Sequence, residues 1–154
     1  MSRRWTEFPA TRDIPLTELL IALLIGVAGL FLNTFELKLG WGMNFVLGNA
    51  LVYVFVRVLA PQYLVLAVSV SSIGSIILWN HPWGWIVSVC EAAFIAVVAP
   101  RTSPVRSVVL YWIVAGAPLL FLFYGGILKM DQLSLALVVA KQIANGILNV
   151  VLGE

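Results

Sequence analysis

What most constrains this chain is a succession of apolar runs, each near the length of a helix that crosses hydrocarbon, joined by short polar segments. A helix rises about 1.5 Å per residue, so roughly 17 to 25 residues cross about 30 Å of bilayer interior. Runs approaching that length fall at 15–33, 44–59, 61–79, 83–99, 106–124 and 132–152. The expected fold is therefore all-α, a polytopic transmembrane helical bundle of six spans. Five spans stay open as the alternative, because the 44–59 and 83–99 runs are short for a full crossing. A soluble reading fails on polar content: the chain is 62% hydrophobic and 10% charged, with a mean hydropathy of +1.04, where soluble domains carry roughly 25% charged residues.

The segment MSRRWTEFPATRDI, residues 1–14, mixes charges of both signs, and the apolar run behind it has no small-residue cleavage signature at its end. It is expected to be a cytoplasmic N-terminal segment before a retained first span. Residues 15–154 then form a single transmembrane sensor or binding domain. With six spans and a cytoplasmic N-terminus, the inner side receives Arg3, Arg4, Arg12, Arg57, Arg101 and Arg106, and the outer side only Lys38 and Lys129. That distribution obeys the positive-inside rule and places the C-terminus in the cytoplasm as well. The outer rim then gathers Trp41, Trp79, Trp83, Trp85 and Tyr124, while Trp5 and Trp112 lie nearer the inner side. Interface anchoring accounts for most such tryptophans; their concentration around the single histidine leaves a binding role open.

Several function classes fall away. A net charge of +2 with dispersed basic residues offers no nucleic-acid surface. One cysteine and one histidine exclude an intrachain disulfide, a cysteine-based zinc site and bis-histidine haem. Cys90 is expected to be an apolar filler. No nucleophile stands with a base and no glycine loop cradles phosphate, so the chain is expected to be neither an enzyme nor a cofactor protein.

The informative residues are polar ones at hydrocarbon depth. Glu91 lies about eight residues into the fourth run, and Lys141 about nine into the sixth, at nearly the same depth. Each costs on the order of 3 kcal/mol there, and such groups face the bundle interior and pair. They are expected to face one another, directly or through water or a ligand. Lys141, Gln142, Asn145 and Asn149 form one helical stripe, and Gly84, Ser88 and Glu91 another. Ser69, Ser71, Ser72 and Ser75 suit close helix packing, as do Ala22, Gly26 and Gly29 in the first run. His81 precedes Pro82, which favours a corner, with recognition of something arriving from outside as its alternative role.

The stretches GMNFVLGNALVYVFVRVLAPQYLVLAVSVSSIGSIILWNHPWGWIVSVCEAAFIAVVAPR, with its LWNHPWGWIVSVCEAAF corner, LYWIVAGAPLLFLFY and AKQIANGILNVVLGE resemble a membrane-associated sensor region found at the N-terminus of bacterial signalling proteins. In that family the region precedes PAS, histidine kinase or diguanylate cyclase modules. The resemblance spans most of residues 40–154 and implies a cytoplasmic-membrane sensory domain whose sixth helix drives a dimeric output, in the manner of two-component systems. It carries over His81, Glu91, Lys141, Gln142 and Asn145 as family-type positions. The output module itself is absent, so either the domain has been excised or it acts as a small standalone protein. A more distant likeness is to the six-helix substrate-binding components of vitamin-type transporters.

The expectation is a membrane-embedded sensor that binds a small molecule from the outer face, between loops 34–44, 79–85 and 125–131. The candidate ligand-binding residues are Trp79, His81, Trp83, Trp85, Ser88, Glu91, Lys141, Gln142 and Asn145. Signal would pass through the last helix to a cytoplasmic output in the same chain or a partner, within a homodimer in the bacterial inner membrane. The alternative is a substrate-binding membrane subunit of a small-solute or vitamin transporter, and a purely structural assembly protein is the third class.

Overall fold

The computed structural model describes residues 16–35, 37–39 and 43–154. The 1–14 segment, with Arg3, Arg4, Trp5 and Arg12, lies outside the described residues, as does Trp41. Helices dominate. Among the described residues five are long and apolar enough to cross a membrane: α1 Leu16–Asn33, α3 Pro61–Trp79, α4 Trp83–Arg101, α5 Pro104–Ile127 and α6 Gln132–Gly153. A short antiparallel hairpin of β1 Leu37–Leu39 and β2 Met43–Phe45 follows α1, and the six-residue α2 Gly48–Tyr53 follows the hairpin.

The expected 44–59 span is thus corrected. Its helix lasts six residues and gives way to turns that continue to Leu59. The cause lies in its neighbours. A methyl group at Gly48 would collide with the Gly29 carbonyl and with Asn33, so α2 starts where two glycines let α1 and this segment touch backbone to backbone. Its first N–H groups have no partners within so short a helix. Asparagines supply them: Gly48 N donates to Asn33 Oδ1 at 2.6 Å and Ala50 N to Asn149 Oδ1 at 2.9 Å.

Side-chain neighbours give the helix directions. Gly26 meets Ala67 and Val70, Gly29 meets Ser71, and Leu30 meets Gly74, so α1 and α3 run parallel. Val46 bonds Asn145, Ala50 bonds Asn149 and Tyr53 packs on Gly153, so α2 runs parallel to the second half of α6. Two consecutive parallel neighbours, α1 and α3, require the chain between them to return. Segment 34–59 makes that return as a hairpin, a short helix and turns. Arg57 ends it against Glu154, Nη2 to Oε1 at 2.6 Å, which puts the turn after α2 and the end of α6 at one end of the bundle.

Helices α3, α4, α5 and α6 alternate in direction. Trp85 Nε1 donates to Ser69 O across α3 and α4, Tyr111 Oη donates to Val87 O across α4 and α5, and Trp112 lies on Gly146 across α5 and α6. Prolines start three of the joins: Pro61 follows the extended Ala60, Pro82 precedes α4, and Pro104 follows Ser103, whose hydroxyl caps Arg106 N. Asn80 closes α3 in the left-handed region at φ 53°, a conformation asparagine tolerates.

Helix α5 is wider than an α-helix at Trp112–Gly116 and Phe121–Ile127, where it takes π-helical turns. Pro118 between them has no N–H and crowds the carbonyl four residues earlier, and widened turns relieve that conflict. The core of Val52, Tyr53, Leu64, Val68, Ile95, Val108, Tyr111, Leu120 and Val150 runs down the middle. Leu20, Leu24, Phe31, Ile77, Ile113 and Leu133 stay exposed outside. Apolar residues on both faces are what a bundle immersed in lipid requires.

Candidate functional site

Midway along α4, Glu91 is 4% exposed. It borders a small cavity with Ser88, Gly84 and Val87 of its own helix, Asn49 and Tyr53 of α2, Trp112 of α5, and Gln142, Asn145, Gly146 and Asn149 of α6. Four helices therefore meet at this point. Gly84, Ser88 and Glu91 reach it together because they share one face of α4, and Gln142, Asn145 and Asn149 because they share one face of α6. The space available to the centre of a water molecule is about 10 Å³, enough for about one water.

Two kinds of polar group meet here. Asn149 is saturated and Asn145 is held through its oxygen: Asn145 Oδ1 accepts from Val46 N at 3.0 Å, and Asn149 bridges Ala50 N, Val46 O and Asn145 O at 2.9 to 3.1 Å. Asn49 exchanges bonds with Ser72 Oγ. Glu91 Oε1, Tyr53 Oη and Trp112 Nε1 are buried with no hydrogen-bond partner. All three belong to the cavity wall, and a buried polar atom left unpaired costs about 1 to 3 kcal/mol.

Lys141 does not pair with Glu91. Its Nζ lies 4.7 Å from the centre of the Trp79 ring, and the ion pair among the described residues is Arg57–Glu154. The direct Glu91–Lys141 pairing is corrected accordingly. Lys141 and Gln142 are successive residues about 100° apart around the helix; Gln142 takes the cavity face, while the longer lysine runs to an aromatic face.

The remaining candidates separate into a rim and the packing between helices. His81 sits in the α3–α4 corner with its ring edge-on to Tyr124, centroids 5.3 Å apart, and 6.4 Å from Trp79. Partial burial pulls its imidazole below the usual range, so the neutral form is favoured. Its Nδ1 is also buried without a partner. His81 and Tyr124 thus meet at the rim, and Gln142 lines the cavity. Trp83 stacks on Phe123 at 4.7 Å, and Trp85 bonds Ser69 O on α3. Neither tryptophan borders the cavity.

Tyr53, Trp112 and Asn49 were not foreseen as site residues. Asn49 and Tyr53 stand four apart in an apolar run, a polar face available to a helical-wheel argument. Trp112, in the half of α5 nearer the Arg106 end, is 4% exposed and points into the bundle. The widened turn beginning at Trp112 and the bare backbone of Gly146 give its indole room, and no residue pattern announces either.

A larger cavity of about 280 Å³ opens at the Arg57 end, lined by Val56, Leu59, Leu64, Ile95, Ala99 and Pro104 among others. None of the sequence-predicted site residues borders it. No group of three or more histidine, cysteine, aspartate or glutamate side chains capable of holding a metal occurs among the described residues. No protein-family model, curated protein or solved structure matches this chain.

Proposed function

We propose that the chain is a membrane-embedded sensory domain that takes a small molecule from the end carrying Trp79, His81 and Trp83. Its last helix, α6, passes the binding event to a cytoplasmic signalling output of histidine kinase or diguanylate cyclase type. The observation that carries this reading is the double duty of α6. Gln142, Asn145 and Asn149 wall the Glu91 cavity, and the same two asparagines hold the backbone of segment 46–50. A solute that engages the cavity must therefore bias the register of α6 against α2, down to Arg57–Glu154 at the far end. Coupling follows if the solute binds the two registers with different affinity.

Arg57, Arg101 and Arg106 gather at the Glu154 end, and Lys129 lies in the join between α5 and α6 at the other. That charge bias supports a cytoplasmic Glu154 end in the bacterial inner membrane. With segment 34–59 counted as a crossing, there are six passes and both termini are cytoplasmic, in a homodimer. A solute larger than water enters when Gln142 moves aside.

The second reading, a substrate-binding subunit of a small-solute transporter, is favoured by segment 34–59. Interrupted helices near the middle of a bundle are where transporters bind solutes. The stripe of Ala22, Gly26 and Gly29 gives that reading no partner surface, because it is buried against α3 and α2.

Native mass spectrometry of the chain released from mild detergent tests binding, and a spin-label distance between positions 57 and 154 tests transmission. The expected result is a retained solute in the wild type, absent in Glu91→Leu, with a distance that changes when the solute is removed. An unchanged distance favours the transport subunit, and no retained solute in any preparation defeats both readings.

A further inference from the structure

The three unpartnered atoms differ in what they can exchange. Trp112 Nε1–H only donates, a carboxylate Oε1 only accepts, and Tyr53 Oη does both. All three side chains are at least nine-tenths buried and border one cavity with room for about one water. We infer that this cavity binds one uncharged hydrogen-bonding group, a water in the empty protein, which accepts from Trp112 Nε1 and donates to Glu91 Oε1. Tyr53 Oη completes its shell.

The set of groups favours a neutral occupant: the cavity wall offers no basic side chain to an anion, and to a cation only a single carboxyl set beside the Trp112 N–H dipole. A water satisfies donor and acceptor together, and three hydrogen bonds are what buried waters typically make. The inference rests on the proposed sensory reading in one respect: it names the part of the solute that enters. That part is a neutral hydroxyl or amide group presenting both a donor and an acceptor, which takes the place of the water while the rest of the solute stays toward Gln142 and Tyr124.

The test uses the full chain in nanodiscs with ¹⁵N-labelled tryptophan. The expected result is a nuclear Overhauser contact between Trp112 Hε1 and a long-lived water, kept in Glu91→Gln, which retains an acceptor oxygen, and lost in Glu91→Leu, which fills the cavity. The Trp112→Phe variant identifies the resonance. A Trp112 indole with no water contact in the solute-free wild type overturns the inference, as does a contact that survives Glu91→Leu unchanged.

Titration with ethylene glycol, sodium acetate and sodium chloride follows. Ethylene glycol alone is expected to shift the Trp112 resonance, and a shift with acetate or with sodium ion instead overturns the uncharged class. The water contact with no solute retained in mass spectrometry leaves this inference standing and removes the sensory reading. A retained solute without the water contact does the reverse.

Discussion

Two polar clusters lie side by side in the middle of the bundle and are built on opposite principles. Around α2, Asn33, Asn145, Asn149, Ser71 and Ser72 satisfy one another and the free backbone groups of a helix too short to satisfy its own. Around Glu91, three buried polar atoms have no partner. Asn145 and Asn149 belong to both. Since the fold can saturate its polar groups at one site, the unsaturated neighbour is not a general failure of packing. It is where an outside group is expected.

The comparison breaks first if the clamp can be removed without harm. Asn149→Leu leaves Val46 O without its side-chain partner and Ala50 N with only its 3.0 Å bond to Leu47 O, and a buried group left unpaired costs about 1 to 3 kcal/mol. It is expected to give the largest drop in unfolding midpoint by differential scanning fluorimetry in detergent. Next comes Gly48→Ala, which drives a methyl into the Gly29 carbonyl. Overpacking of this kind costs about 1 to 3 kcal/mol, and circular dichroism on heating should show an earlier melt with helix content retained at low temperature.

Arg57→Gln removes the ion pair to Glu154 where Arg57 is 70% exposed. An exposed pair is worth about 1 kcal/mol or less, so its effect should vanish as salt is raised. The smallest effect belongs to Asp131, whose carboxylate caps α6 by accepting from Ser134 N at 3.0 Å. Its bonds to Ser134 hold it below the usual carboxylate range. A depressed value in the folded state means the stabilisation is present above the ordinary aspartate pKa, about 3.9, and is lost as the pH falls through the folded value. Asp131→Asn should flatten that part of the stability–pH curve, and parallel curves for variant and wild type would remove Asp131 as its source.

The five long helices were legible because apolar length is a direct statement about the surrounding medium, and the ends at Asn33, Pro61, Trp79 and Gln132 lie within a residue of the expected ones. The break-up of the 44–59 run was not, because composition alone does not distinguish a continuous helix there from one that starts only at the Gly29–Gly48 contact with α1 and ends at Tyr53. The α4 and α6 faces followed from periodicity, which brought Ser88, Glu91, Gln142 and Asn145 together. A direct Glu91–Lys141 contact did not follow from equal depth, because side chains one residue apart on a helix point about 100° apart and Lys141 lies over the Trp79 ring.

The account holds that the saturated cluster is structural and the Glu91 cavity is a binding site, and one paired measurement weighs the two. Unfolding midpoints of Glu91→Leu and Asn149→Leu in the same detergent should differ in sign or in size. Glu91→Leu exchanges an acceptor with no protein partner, only the inferred water, for apolar volume, and is expected to melt close to the wild-type temperature while Asn149→Leu melts well below it. If Glu91→Leu falls as far as Asn149→Leu, the carboxylate is part of the scaffold and the account is contradicted.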